Sequence, residues 1–206
     1  MASSSEREIR DVLVKFWHNN EPRGRVVHEL PLDGFSASGR ADLAIIFPDA
    51  IVLQEIKSEK DKLTRLKKQF FEMSARCHQW HIVCHEKWFN QDNSVKDQEW
   101  CKYSHREHFW KYPDTETWKF DRYKDLEGTP GTRQLLGFLW ADELRLVYET
   151  HFPKISPRAL QMWEMQRDLY SRLSGKQVTL EVCSMLRRRK FNEADAPIMI
   201  EDREAA

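Results

Sequence analysis

In the stretch GRADLAIIFPDAIVLQEIKSEKD, Gly39 to Asp61, three residues have the types and spacing to do chemistry together: Asp42, Glu55 and Lys57. Two apolar runs, DLAIIF and AIVLQEIK, flank the turn formers Pro48 and Asp49. A hairpin with a two-residue loop there sets Asp42 opposite Glu55 on one face. A three-residue loop would shift the pairing by one. Glu55 and Lys57 share a face because strand side chains alternate, and Ile56 turns the other way into the core. Two carboxylates this close repel, and one takes up a proton unless a cation intervenes. Hard oxygen ligands suit Mg²⁺ or Mn²⁺. Such an ion activates water, and a neighbouring lysine orients or deprotonates that water or screens a phosphoryl transition state. The layout suits metal-assisted phosphodiester hydrolysis. The competing reading is a strand end with ordinary solvated charges, since D-x(12)-E-x-K spacing also arises by chance.

Those side chains need elements to hold them. Ser5 can cap a first helix with Glu8 as its capping partner. Ile9, Val12, Leu13 and Phe16 then share a face. RVVHELPL reads as a strand and DGFSASG as a loop. After AIVLQEIK, Ser58 is expected to open a helix, with Asp61 as acidic partner and Leu63, Leu66, Phe70 and Met73 as its apolar stripe. WHIVCH reads as a further strand, so Glu6 to His85 runs α-β-β-β-α-β. Residues 86–131 are polar and aromatic and carry four of the eight Trp. An irregular insertion is expected there, although ETWKFDRY alternates like a strand. From Thr132 onward three helices are expected. RQLLGFLWADELRLVYE is the first, with a break near Gly137. SPRALQMWEMQRDLYSRL is the second, with Ser156 as cap and Pro157 in its first turn. TLEVCSMLRRRK is the third.

The chain has 206 residues, 40 % of them hydrophobic and 32 % charged, with a formal net charge of zero. That suits one domain with a helical extension and excludes a global basic field for nucleic acid. No window approaches a membrane span, and the N-terminus has no secretory pattern. A cytoplasmic protein with four reduced Cys is the expectation.

The stretch GRADLAII…IVLQEIKSEKD resembles the core of the PD-(D/E)XK nuclease superfamily, most of all small bacterial and phage proteins of the sce7726 or MmcB-like type. The resemblance runs from about Val26 to Val83. It rests on Glu55-Ile56-Lys57-Ser58, Asp61, Arg65-Leu66 and Gln69, and on the order of elements. Ala41 stands where the motif's name has Pro. The resemblance implies an α/β, restriction-endonuclease-like core over residues 1–90, with a central mixed sheet flanked by helices. Residues 91–131 would then be the aromatic insertion and 132–206 a helical extension packed on the core. It implies a Mg²⁺-dependent deoxyribonuclease, with Mn²⁺ as the alternative ion. Asp42, Glu55 and the Ile56 carbonyl would be metal ligands, Lys57 the catalytic lysine, and Glu29 and Gln69 assisting groups. Glu29 could equally be a strand-edge charge. Glu8 is its rival on the first helix, with capping as the better reading. DNA is the implied partner, and cutting both strands favours a homodimer. The alternative is a catalytically silent nucleic-acid- or protein-binding module on the same fold.

Asp61, Arg65 and Gln69 recur every four residues and are expected on one helix face beside Lys57. Arg65 and Gln69 would reach a phosphate or base. With Arg40, Ser58 and Asp61, Arg65 makes up the substrate-contacting set. The bland reading of Asp61 and Arg65 is a solvated pair. Two basic runs, Lys57 to Lys68 and Arg187 to Lys190, could neutralise phosphates. A zinc site would draw on Cys77, His81 and Cys84 with Cys101, His105 or His108. Against it, His81 and Cys84 point to opposite faces of a strand. The stripe Leu160, Trp163, Arg167, Tyr170 and Leu173 is expected in the core.

Overall fold

The computed structural model describes residues 5–33, 39–96, 108–126 and 128–199. Helix α1 (Glu6–Asn20) leads into strands β1 (Arg25–Pro31), β2 (Arg40–Ile46) and β3 (Ile51–Lys57). Helix α2 (Leu66–Ser74) connects β3 to β4 (Gln79–His85), and β5 (Phe109–Tyr112) follows. Five helices complete the chain: α3 (Arg122–Asp125), α4 (Thr132–Leu136), α5 (Ala141–His151), α6 (Met162–Arg172) and α7 (Gly175–Arg188). The strands lie in sequence order in one sheet. β1, β2 and β3 run antiparallel to one another, and β3, β4 and β5 run parallel. The protein is therefore α/β with a five-stranded mixed sheet flanked by helices. No helix among the described residues is long and apolar enough to cross a membrane.

Period-two alternation feeds two cores. Leu43, Ile45, Val52, Ile56 and Val83 face α1, where Ile9, Leu13 and Trp17 pack with Trp110 and Trp118. Ala44, Ile46, Leu53, Ile82 and Cys84 face the other way, against α2 and the C-terminal helices. Leu136, Leu144, Leu169, Val182 and Leu186 supply much of that second layer. Residues of the C-terminal helices thus share a core with one face of the sheet.

The expected hairpin register is also present. Phe47 N–H donates to Ala50 O at 2.9 Å across Pro48-Asp49, and the ladder runs from Ile46↔Ile51 to Leu43↔Gln54. One step further, Asp42 stands opposite Glu55.

Four expectations change. Helix α2 begins at Leu66, not at Ser58. Asp61 Oδ2 accepts both the Ser58 N–H (2.7 Å) and the Ser58 hydroxyl (2.5 Å). That local turn competes with helix, so Asp61 and Arg65 precede α2 and only Gln69 lies within it. ETWKFDRY is not a strand. Thr115–Thr117 forms a 3-10 turn, and Trp118 enters the α1-side core with its indole N–H on Lys111 O at 3.0 Å. The strand of this region is β5, inside the stretch expected to be irregular. The first C-terminal helix does break near Gly137 as expected, into α4 and α5, and the Glu143 carboxylate accepts the Trp140 N–H at the start of α5. Helix α6 begins at Met162 with Gln161 at its N-cap, and Ser156 and Pro157 open a separate 3-10 turn (Pro157–Ala159). The expected stripe divides: Trp163, 60 % exposed, and Tyr170 face outward, whereas Leu160 and Leu173 pack on the core beside buried Met165 and Leu169.

The second basic run is structural. Arg187 is buried and donates to Arg23 O and Ile46 O. Arg189 is buried against the Glu143 carboxylate and Phe138 O. Beside them Arg25, 1 % exposed, donates to the carbonyls of Leu186, Arg187 and Arg189 at 2.7–2.8 Å, ending α7. It also donates to Asp195 O. The segment around Asp195 covers the outer edge of β1, with Asp195 N–H on Val26 O and His28 N–H on Glu193 O. Arg25→Met should destabilise the protein by roughly 3 kcal/mol or more in urea unfolding, because several buried carbonyls lose their donor at about 1–3 kcal/mol each. A change within about 0.5 kcal/mol would show that water takes over these bonds.

Candidate active site

The end of β3 carries the chemistry. Lys57 Nζ lies 2.5 Å from Glu55 Oε1, with both side chains nearly buried. Gln69, on the first full turn of α2, donates to the same oxygen. Glu55 Oε2 has no hydrogen-bond partner. Ile56 N–H donates to Asp42 Oδ2 at 2.7 Å, so Asp42 is fixed to the strand through the residue between Glu55 and Lys57. Ser58 is buried in its turn with Asp61, and its carbonyl accepts the Trp88 indole N–H at 2.9 Å.

A cleft of about 280 Å³ opens over these groups. Asp42, Glu55, Ile56, Lys57 and Gln69 line it, as do Glu29, Arg40, Asp61 and Arg65. Of the sequence-derived site residues only Ser58 is outside the lining, where it holds Asp61. Arg40, Arg65 and Lys68 are exposed at the cleft. This part of the first basic run can meet a phosphate backbone.

Two features were not legible in the sequence. The first is Glu6. Carboxylate oxygens of Glu6, Glu29 and Asp42 lie within 4.8 Å of one another. Helix α1 therefore contributes Glu6, not Glu8. Ser5 Oγ accepts the Glu8 N–H, and the Glu8 carboxylate accepts the Tyr112 hydroxyl at 2.9 Å. A usable signal existed: Glu6 lies three residues before Ile9, so it extends the buried Ile9-Leu13-Trp17 stripe toward the open end of the sheet. The second is the backbone of Glu29, with φ of 52°. The β1–β2 ladder pairs His28 with Leu43 and Leu30 with Ala41 but skips Glu29 opposite Asp42. Val27 and Leu30, three apart, consequently enter the same core. A left-handed Glu costs about 1–2 kcal/mol. Arginines compensate: Arg10 Nη2 donates to Glu29 Oε1 at 3.1 Å, and Arg40 Nε lies 3.4 Å from Glu29 Oε2. Arg10 also pairs with Glu6.

Burial and then the Glu55 charge push the Asp42 carboxyl up to about 8. Burial likewise raises Glu55, opposed by Lys57 and Gln69. The site thus concentrates carboxylates that resist ionising together. An all-oxygen donor set with an orphaned buried carboxylate oxygen fits a hard divalent cation such as Mg²⁺ or Mn²⁺. The described zinc candidates do not gather. The Cys77 thiol donates to Met73 O, and Cys84 lies in the same core. His81 is on the opposite face, stacked on Trp110 at 4.1 Å, and His108 stacks on Trp80. Cys101 and His105 lie outside the described residues.

Over residues 2–99, just under half of its length, the chain is similar to the family described as Bacteriophage P4 protein cII. That stretch contains every cleft residue named here. No curated protein and no solved structure matches the chain.

Asp42 holds a proton in the folded state up to about pH 8, whereas its ordinary value is 3.8. Between these values the folded state binds more protons than the unfolded chain, so stability falls as pH rises through the window. In EDTA, thermal melts of the wild type should fall from pH 5.5 to 8. Asp42→Asn, which keeps an acceptor for Ile56 N–H, should show a shallower fall. Equal slopes for the two proteins would remove Asp42 as the source.

Proposed function

We propose that the protein is a metal-dependent nuclease that hydrolyses phosphodiester bonds in DNA, built on a restriction-endonuclease-like core of the PD-(D/E)XK type. The observation that carries this reading is the convergence of Asp42, Glu55, Lys57 and Gln69 in one cleft, with a buried carboxylate oxygen left unpaired. The order α1-β1-β2-β3-α2-β4 supports it.

On this reading Asp42, Glu55 and the Ile56 carbonyl would hold Mg²⁺ or Mn²⁺, with Glu29 assisting. When bound, such an ion supplies a Lewis acid and a water of lowered pKa. The remaining tasks belong to the chain. Gln69 and Lys57 both engage Glu55 Oε1, which leaves Oε2 available and fixes the carboxylate's rotamer. The Lys57 ammonium orients the attacking water and screens the charge that develops on the phosphoryl oxygens. Ile56 N–H holds the Asp42 carboxylate. Arg40 and Arg65 contact the phosphate backbone, a sequence-independent interaction that salt weakens.

The second reading is a silent nucleic-acid-binding module on the same fold. The exposed cations at the cleft favour it, because they bind phosphates without any chemistry. One assay separates the two: purified protein with supercoiled plasmid and with linear single- and double-stranded DNA, in Mg²⁺, Mn²⁺ or EDTA, beside Lys57→Ala. The nuclease reading expects metal-dependent cutting that falls at least about 100-fold in a folded Lys57→Ala variant. Salt-sensitive DNA binding without cutting, equal in both proteins, would select the module.

A further inference from the structure

We propose that Arg10 is a resident cation of the cleft that limits it to one divalent ion, held on the Asp42–Glu55 side. This rests on the nuclease reading of the same site. Arg10 lies one helical turn after Glu6 with its side chain 16 % exposed. Its Nη2 serves Glu6 and Glu29 together, and Arg40 engages the other Glu29 oxygen. Two of the three clustered carboxylates, Glu6 and Glu29, are therefore already paired with the held guanidinium of Arg10. Asp42 instead accepts a backbone N–H, and nearby Glu55, 3 % exposed, has its unpartnered Oε2. The unmet demand for a cation is concentrated on that side. Arg10 Nε is itself buried without a partner. An unpaired buried donor is costly, so the pull of its two carboxylates is what holds the side chain there.

Charge counting gives the same limit. With every carboxyl ionised, as a bound cation requires, Glu6, Glu29, Asp42, Glu55, Asp61 and Glu72 oppose Arg10, Arg40, Lys57, Arg65 and Lys68, six negative groups against five positive, a formal balance of −1. One divalent ion turns this to +1, which attracts a phosphodiester monoanion. A second would leave +3 beside a guanidinium at short range, with no carboxylate unpaired to receive it. Without Arg10 the balance is −2, and Glu6 and Glu29 become ligands for a second ion.

The test counts Mn²⁺ bound to the full chain by electron paramagnetic resonance of the free ion, with circular dichroism to verify folding. One Mn²⁺ per chain is expected for the wild type and for Arg10→Lys, which keeps the charge. Two are expected for Arg10→Met and for the polar neutral Arg10→Gln, which decides the matter if the Met variant does not fold. Adding Glu29→Gln to either neutral variant should return the count to one. Two ions in the wild type, or one in a folded neutral variant, overturns the role of Arg10 and leaves the nuclease reading standing. No ion in the wild type overturns both.

Discussion

Strand β3 is buried along its whole length, yet Gln54, Glu55 and Lys57 are polar. A buried polar group without a partner costs several kcal/mol, and a buried charge costs more. The surrounding elements are placed to meet that demand. Trp17 of α1 donates its indole N–H to Gln54 Oε1 at 2.8 Å, and the Gln54 amide lies 3.3 Å from His81 Nδ1 on β4. On the other face, Gln69 of α2 and Lys57 meet at Glu55. Both flanking helices are thus keyed to β3 by polar bonds as well as by apolar packing. A shift in register or a rotation of either helix would strand a polar group in the core.

On β3 itself the second oxygen of Glu55 is left without a partner, as are Gln69 Oε1 and Arg10 Nε beside the cleft. Around it the chain adds negative charge: Asp42 from β2, Glu29 from a left-handed position in β1, and Glu6 from the start of α1. A stability-driven arrangement would leave Glu29 in its ladder and Glu6 in water. Here the ladder is interrupted at the step where Glu29 faces Asp42, with backbone strain at Glu29 and arginines drawn in to offset repulsion. Strain, an orphaned acceptor and a raised carboxyl pKa coincide in one small cleft, and that coincidence is what makes it the candidate site.

The hairpin register was legible because its causes are local: a two-residue turn, strict alternation and an apolar residue at each inward position. The same causes carried Asp42, Glu55 and Lys57 to one place. Arg40 followed because it lies two residues before Asp42, whereas Gln69 reaches Glu55 from α2 although Asp61 and Arg65 precede that helix. Legibility failed where two local rules compete. Ser58 and Asp61 can cap a helix or close a turn, and here they close a turn. Glu8 had the stronger capping signal, which masked Glu6 two residues before it. In α6 two stripes run side by side, and the one with Trp163 and Tyr170 has larger side chains than the one with Met165 and Leu169. Size favoured the wrong stripe, because a helix packed against others turns in the face that fits, not the face with the most apolar area. The φ of Glu29 has no sequence signature at all, since it arises from the charges gathered around it.

A zero net charge conceals how unequally the fold spends its arginines. Arg25, Arg187 and Arg189 go inward: Arg25 serves carbonyls at the end of α7, Arg187 reaches the Ile46 carbonyl of β2, and Arg189 reaches the Phe138 carbonyl. Arg10 goes to the carboxylate cluster. Arg40 and Arg65 remain at the cleft with Lys68. A guanidinium suits the first two tasks because its planar fork reaches several acceptors at once, and an ammonium could not replace it at Arg25. Other cations, among them Lys15, Lys119, Arg158 and Lys176, are exposed away from the cleft. Net charge therefore says little about the local field: Glu6, Glu29, Asp42, Glu55, Asp61 and Glu72 share the cleft with Arg40, Lys57, Arg65 and Lys68, and Arg40 and Lys68 are paired with Glu29 and Glu72.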